Sequence, residues 1–361
     1  MGPQDESPRA MPWAIPSLQS TLQGSHIYPS SYPAMLSSAI NSFDASGHEL
    51  AASPRGYTLR GYTREPLGRL AAAPLVRPSR RFLLHVPASY RDDQAMPLVV
   101  WLHGCRQSAE EFRDGTRITQ WADQRGFLVL MPRQSKWANP LGCWNWFDPA
   151  TQNGLGETAL VLAQTRFVQS RWNINGEAVY IAGMSSGAAL AACIAVHAHT
   201  EFQAAAFVSG LADGAASSAV TASKVMTGTT DVDVTEIARR VSRSPNDPIL
   251  RCLIIHGDMD SVAAPAHADE IARQMLALNG ETPVSSPLRA PDQGEESSLN
   301  GRKFMRYQYK IEGQNCVDIV RIAGLGHAWS GGDASLPFND ADQPDATQLI
   351  LDFFSSKSRS S

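Results

Sequence analysis

Apolar positions along the chain turn from scattered to ordered near Arg80. Upstream, Met1 to about Pro66 is rich in Ser, Pro, Gly and Ala with no sustained period, which predicts a disordered extension or pro-region over residues 1–66. Beyond it, Arg81 to Val86 and Leu98 to Leu102 read as strands, the second fully buried and leading into His103-Gly104-Cys105. Ser108 and Glu111 have capping-box spacing, so one helix is expected through Phe112, Ile118, Trp121 and Ala122 as far as Gly126. Phe127 to Met131 is the next strand, and Leu160, Ala163, Phe167 and Trp172 then share a helical face. The run Val179 to Ala182 predicts a strand, followed by a small-residue helix from Ser186 to about His197. Ala204 to Val208, Leu250 to Ile255 and Val317 to Ile322 read as further strands. Ile271, Met275 and Leu278 form a helix face closed by Gly280, and a last helix starts near Pro344. Two polar connections, Ala212 to Pro248 and Glu281 to Gly301, are expected to be surface loops or lids. Such alternation predicts an α/β fold over residues 67–356, with a mainly parallel sheet and helices on both faces, and a flexible tail at 357–361.

The chain has 361 residues, 43% of them hydrophobic, enough for a sizeable core. Lys plus Arg number 31 against 35 Asp plus Glu, and no basic run stands out, so a nucleic-acid partner is not expected. The longest apolar stretch, Ala188 to Val196, falls far short of the roughly 18 residues that span a bilayer. No membrane partner is expected either. Asp5, Glu6 and several prolines occupy the place where a secretory signal would be basic and then apolar, so no export signal is visible. Five cysteines lack CxxC or Cys/His metal spacing, and no metal or organic cofactor is expected. They allow at most two bridges.

Chemistry enters at Gly183-Met184-Ser185-Ser186-Gly187, which follows one predicted strand and opens the next helix. That is the context of a GxSxG nucleophile elbow, where a tight turn holds the serine hydroxyl outward. In α/β-hydrolases the carboxylate and histidine follow the serine in that order. His327, in Gly324-Leu325-Gly326-His327-Ala328-Trp329-Ser330-Gly331-Gly332, lies just past a strand, whereas His197 and His199 are expected at the surface. For the acid, Asp260 is preferred over Asp258, which more often supports such a turn, and His256 is expected to be structural. An oxyanion needs two backbone donors, one from Ser186 and one from the loop His103-Gly104-Cys105. A rival reading makes Cys105 a nucleophilic thiol with His327 as base, but leaves the elbow unexplained.

Leu102-His103-Gly104-Cys105-Arg106-Gln107, Gly142-Cys143-Trp144-Asn145-Trp146-Phe147, the elbow, His256-Gly257-Asp258-Met259-Asp260 and the Gly326-to-Gly332 segment together resemble the poly(3-hydroxybutyrate) depolymerase family of esterases, from about Arg80 to Phe354. The resemblance implies an α/β-hydrolase fold and a triad of Ser185, Asp260 and His327. It also implies oxyanion donors at Cys105 and Ser186 and a disulfide between Cys105 and Cys143. The implied activity is serine ester hydrolysis of short-chain or 3-hydroxyalkanoate esters, small or oligomeric, through an acyl-enzyme. Feruloyl or acetylxylan ester hydrolysis is the alternative, and a non-catalytic binding module of the same fold is a third reading. The elbow has Met184-Ser185-Ser186-Gly187-Ala188 where the family usually has Leu-Ser-Ala-Gly-Gly, a departure that bears on pocket shape. Of Trp137, Trp144, Trp146 and Trp329, most are expected in the core, with Trp329 as substrate-pocket wall. The family is often extracellular. The Ser/Lys/Arg tail after Phe354 leaves no adsorbing module in view, so soluble esters are expected to be better substrates than crystalline polymer.

Overall fold

A computed structural model describes residues 42–43, 56–64, 79–228, 233–241, 244, 247–281 and 287–356. Its strands are β1 (Ser42–Phe43), β2 (Tyr57–Arg64), β3 (Ser79–Val86), β4 (Met96–Leu102), β5 (Leu128–Pro132), β6 (Ile174–Met184), β7 (Ala204–Val208), β8 (Arg251–Gly257), β9 (Gln293–Leu299), β10 (Arg302–Ile311), β11 (Gln314–Ile322), β12 (Trp329–Ser330) and β13 (Asn339–Asp340). The helices are α1 (Ala109–Thr116), α2 (Ile118–Arg125), α3 (Pro149–Gln152), α4 (Gly156–Gln169), α5 (Ser186–His197), α6 (Ala219–Met226), α7 (Val234–Arg240), α8 (His267–Leu278) and α9 (Ala346–Ser355). The main sheet runs β1-β2-β3-β5-β4-β6-β7-β8-β11-β10-β9. Its centre, from β5 to β11, is parallel, and both flanks are antiparallel.

Burial on both faces follows from strand alternation. In β4, Leu98, Val100 and Leu102 meet the core under α4, α5 and α8, while Val99 and Trp101 meet the core under α1, α2 and α9. Ala188, Ala191, Ala192 and Ala195 let α5 lie close on the sheet, and all four are buried.

Several expectations need correction. The sheet begins before residue 67: β2 pairs along its length with β3, from Tyr57 opposite Val86 to Arg64 opposite Ser79. Its alternating polar and apolar residues suit an outer strand and carry little hydrophobic signal. Apart from β1, Gly56 and β2, the expected extension lies outside the described residues, as does the tail at 357–361. The single helix expected up to Gly126 breaks at Arg117, whose φ is 56°. There the chain turns so that the Arg117 guanidinium donates to the carbonyls of Gly331 and Gly332, at 3.4 and 3.2 Å. The connection 212–248 carries α6 and α7, and 281–301 carries β9, an exposed edge strand with no apolar face to betray it.

Trp329 is also placed differently. It has no exposed surface, so it is core and not pocket wall. Its ring lies 5.1 Å from Trp101 and 5.2 Å from Phe112, both edge-on. Its indole N–H donates to Thr347 Oγ1 at 3.0 Å, and the Thr347 hydroxyl donates to the Thr116 carbonyl at 2.8 Å. The segment after His327 is thereby tied to the end of α1 and the first turn of α9. Trp329→Ala is therefore expected to lower unfolding free energy by about 3–5 kcal/mol, read by urea denaturation. Unchanged stability with altered acyl-chain preference would restore the pocket-wall reading.

Candidate active site

Four neighbouring parallel strands, β6, β7, β8 and β11, end at one edge of the sheet, which is where α/β folds gather functional loops. Ser185 follows β6, Asp260 follows β8 and His327 follows β11.

Ser185 has φ 55° and ψ −121°, outside the favourable regions for an L-residue. Strain of that kind costs on the order of 1–3 kcal/mol and persists only where the surroundings impose it. The Ser185 N–H donates to Val208 O at 2.8 Å, and the Ser185 carbonyl accepts from Ala189 N at 2.9 Å. Gly187 is held against β4, where a Cβ would lie 2.4 Å from Leu102 O. A larger residue would push α5 away and release the turn.

Asp260 is buried, and its oxygens are surrounded by donors. Oδ1 accepts from the N–H groups of Val262 and Ala263, each at 2.9 Å. Oδ2 lies 2.8 Å from His327 Nδ1 and 3.4 Å from His256 Nε2. Burial pushes the carboxyl up, but the hydrogen bonds from His256 and His327, the His327 charge and the Ala263 amide outweigh it and hold Asp260 well below the usual carboxylate range. Asp258 does what its position suggests: Oδ1 accepts from Gly324 N at 2.7 Å, joining the acid loop to the histidine loop. Gly257 makes that approach possible, since a Cβ there would lie 2.1 Å from Leu325 O.

With His327 Nδ1–H donating to Asp260, the neutral ring keeps a lone pair on Nε2, the atom a general base uses. Among the described residues no hydrogen bond joins Ser185 Oγ to His327. The Asp260 carboxylate and the His327 imidazole are brought together, and Ser185 stands on the adjoining loop of the same edge.

Cys105 and Cys143 are disulfide-bonded, so Cys105 is no free nucleophile. Its loop lies against the elbow: a Cβ built on Gly104 would sit 3.4 Å from Ser185 Cβ. Ser186, first residue of α5, has an amide without an intrahelical acceptor, and its Oγ accepts from Trp144 N at 3.3 Å.

Sequence reasoning missed the groups that brace this loop. His103 Nδ1–H donates to Gly104 O at 2.8 Å and Nε2 accepts from Gln134 N at 3.1 Å, a pattern that fits only the neutral ring. Burial accordingly pushes its pKa down to about 4. Glu157, also buried, accepts from Gln134 Nε2 at 2.5 Å and Asn145 N at 2.6 Å. Burial raises its pKa while these donors oppose the rise. Only the adjacency of His103 to Gly104-Cys105 hinted at this role; Glu157 lies on α4 with no local signal. Trp144 and Trp146 are buried as expected, whereas Trp137 is 99% exposed. His199 is buried beside Asp247, and His197 Nε2 lies 3.3 Å from buried Asp213, so neither is a plain surface residue. Among the described residues no group of three or more His, Cys, Asp or Glu side chains converges as metal ligands would.

Comparison with known proteins places these observations. A poly(3-hydroxyalkanoate) depolymerase C of Paucimonas lemoignei is 28% identical over 248 residues, 67% of this chain and 57% of that protein. An acetylxylan esterase of Coprinopsis cinerea is 28% identical over 241 residues, 64% of this chain and 61% of that protein. The chain thus spans less than two thirds of either relative. An acetyl xylan esterase structure from Aspergillus awamori superposes with TM-score 0.61 at 20% identity, covering 76% of this chain and 93% of that one, a likeness of fold: that of the α/β-hydrolases. The family described as Esterase PHB depolymerase matches residues 81–298, and with the elbow, the Asp260–His327 pair and the disulfide-bound loop now in place, the chain belongs to that family.

Proposed function

We propose that the protein is a serine carboxylic ester hydrolase that acts on short-chain or 3-hydroxyalkanoate esters through an acyl-enzyme. The observation that carries this reading is the Nδ1–H of His327 donated to the ionised Asp260 at 2.8 Å, at the sheet edge where the strained Ser185 turn presents its hydroxyl. Ser185 Oγ attacks the ester carbonyl carbon and its proton passes to His327 Nε2. The oxyanion faces the amides of Cys105 and Ser186. Collapse of the tetrahedral intermediate breaks the C–O bond, and the alcohol leaves with the proton from His327. Water, deprotonated by His327, then attacks the acyl carbon, releasing the acid and restoring Ser185. Asp260 holds the imidazole and stabilises its charged form throughout.

Acetyl or feruloyl esters of plant polysaccharide are the second reading, favoured by the acetylxylan esterase relative. The Cys105–Cys143 disulfide supports an oxidising, extracellular setting. Among the described residues no helix is long and apolar enough to cross a membrane.

Ser185→Ala is expected to abolish fluorophosphonate labelling and to lower kcat by a factor on the order of 10⁶ with an unchanged circular dichroism spectrum; retained turnover would refute the nucleophile. Asp260→Asn should cost about 10⁴ in kcat and Asp258→Asn much less, and the reverse order would move the acid to Asp258. A panel of p-nitrophenyl esters, 3-hydroxybutyrate oligomers, acetylated xylan and methyl ferulate decides between the substrate readings.

His103 makes stability pH-dependent in a definite window. Its folded pKa, about 4, lies below that of an ordinary histidine, about 6.5, so the unfolded chain takes up the proton first. This contribution is complete above pH ~6.5 and is lost as pH falls towards 4. Thermal melts of the wild type and His103→Asn across that window should show a shallower decline in the variant. Parallel curves would mean that His103 is not held neutral.

A further inference from the structure

The loop between β4 and α1 carries the Cys105 N–H, and its backbone hydrogen bonds follow one peptide plane after another. A trans peptide holds its C=O and N–H on opposite sides of one plane, so fixing either group aims the other. In the plane joining His103 to Gly104 both groups are claimed. His103 O accepts from the Trp144 indole at 3.0 Å, and Gly104 N–H donates to Gln107 Oε1 at 2.9 Å. In the plane joining Gly104 to Cys105, Gly104 O accepts from His103 Nδ1 at 2.8 Å, which points the Cys105 N–H the other way. Arg106 N–H, next along, donates to Leu141 O at 3.0 Å. Among the described residues the Cys105 N–H has no acceptor, so of these successive amides it alone stays open.

Gln107 is brought to Gly104 by the turn before it. Arg106 has φ 60°, in the left-handed region, and the chain reverses there so that the Gln107 side chain reaches back three residues. That side chain is buried. Gly104 is the most pliable residue of the loop and faces the elbow. A Cβ on it would lie 3.1 Å from Gln107 Oε1 and 3.4 Å from both Met184 O and Ser185 Cβ. Without Gln107 its N–H would be a buried donor lacking an acceptor, a cost that a swing of the glycine plane would relieve. At the other end of the Gln107 amide, Nε2 lies 3.5 Å from Pro337 O, which sets oxygen towards Gly104 and nitrogen towards Pro337. The next residue, Phe338, accepts the Trp329 N–H at 2.8 Å, two positions after His327. Gln107 thus spans from the Cys105 loop to the segment that backs the imidazole.

We propose that Gln107 is a positioning residue of the oxyanion hole: its Oε1 holds the Gly104 N–H out of the site, so that this loop meets the substrate with the Cys105 N–H alone, at a fixed angle. The proposal rests on the reading of Ser185 as nucleophile with Cys105 and Ser186 as oxyanion donors. Gln107 itself touches neither substrate nor a reacting atom. Its effect falls on the step in which charge builds on the carbonyl oxygen, because a donor aimed at the tetrahedral oxyanion is worth most there. Ground-state binding gains little from that aim, so the effect belongs to kcat and leaves KM nearly alone.

The test uses the full-length enzyme with p-nitrophenyl acetate and an alkyl trifluoromethyl ketone. Ser185 Oγ adds to the ketone carbon to give a hemiketal whose oxyanion occupies the same hole. Rates are divided by active sites titrated with a fluorophosphonate. Gln107→Met keeps the side-chain volume and removes both hydrogen bonds. It should lower kcat per active site by roughly ten- to hundredfold, with KM within about twofold, and raise the ketone Ki by the factor that kcat loses. A purely structural part would lower Tm and the titratable fraction while leaving kcat per site and Ki as they were, and that result would overturn the proposal. So would a change confined to KM. If Gln107→Met does not fold, Gln107→Asn decides. Its amide is one methylene short of Gly104, so a milder fall in kcat with a matching rise in Ki is expected, and wild-type values of both sink the proposal. A wild-type enzyme that neither takes the fluorophosphonate at Ser185 nor is inhibited by the ketone would instead remove the nucleophile reading, and the proposal with it. Normal labelling and inhibition beside an unaffected Gln107→Met sinks the role of Gln107 only.

Discussion

A carboxylate taken out of water must be surrounded by donors or it takes up a proton, and the candidate active-site edge of this protein is arranged around that constraint at Asp260. Two backbone amides, from Val262 and Ala263, can reach Oδ1 only because the chain after β8 turns back on itself within three residues of Gly257. Oδ2 needs side-chain donors, and β11, paired in parallel with β8, brings His327 to it. The two loops are clamped independently of this contact. Asp258 N donates to Ile322 O, Met259 N to Leu325 O and Gly324 N to the Asp258 carboxylate. The Asp260–His327 pair therefore sits on a prebuilt frame and does not have to hold the loops together by its own strength, which is what preorganisation requires.

The Ser185 side solves a different problem, that of holding a strained turn. Ser185 stays in its unfavourable backbone conformation because α5 is buried along almost its whole length and cannot move off the sheet. Across from it, the Cys105 loop is fixed from three directions: the disulfide to Cys143, the neutral His103 between Gly104 O and Gln134 N, and the Trp144 indole donating to His103 O at 3.0 Å. Gln134 links the first of these to the second, because its N–H donates to His103 Nε2 while its side-chain amide donates to Cys143 O and Glu157. A disulfide alone would leave the loop free to hinge about one bond. The network removes that freedom.

Legibility in the sequence followed how local each signal was. Ser185 was readable because an elbow needs its glycines within two residues, and α5 and β7 matched the expected ranges to the residue. Asp260 and His327 were readable because each closes a short segment after a buried strand. What stayed hidden depended on distant partners. Arg117 breaks its helix to reach Gly331 and Gly332, which lie more than 200 positions away. The outer strands β2, β9 and β10 bury too little for period-two hydrophobicity to show. Tryptophans were the hardest, since side-chain chemistry is the same inside and outside. Trp329, two residues after His327 in sequence, is sealed in the core, and Trp137 stands in solvent.

That exchange has a physical consequence for how the histidine loop is held. A catalytic base must keep its orientation while its own ring gains and loses charge, so its support should come from groups that do not titrate. Two residues after His327, the chain enters the Trp101–Phe112–Trp329 cluster, where the indole N–H groups of Trp101 and Trp329 donate to the threonine hydroxyls of Thr116 and Thr347. None changes charge over the range in which an imidazole works. Asp260 and His327 are thus bonded to each other, while the anchor beneath them is built from uncharged groups. Placing Trp329 in the pocket would have exchanged that anchor for substrate contact.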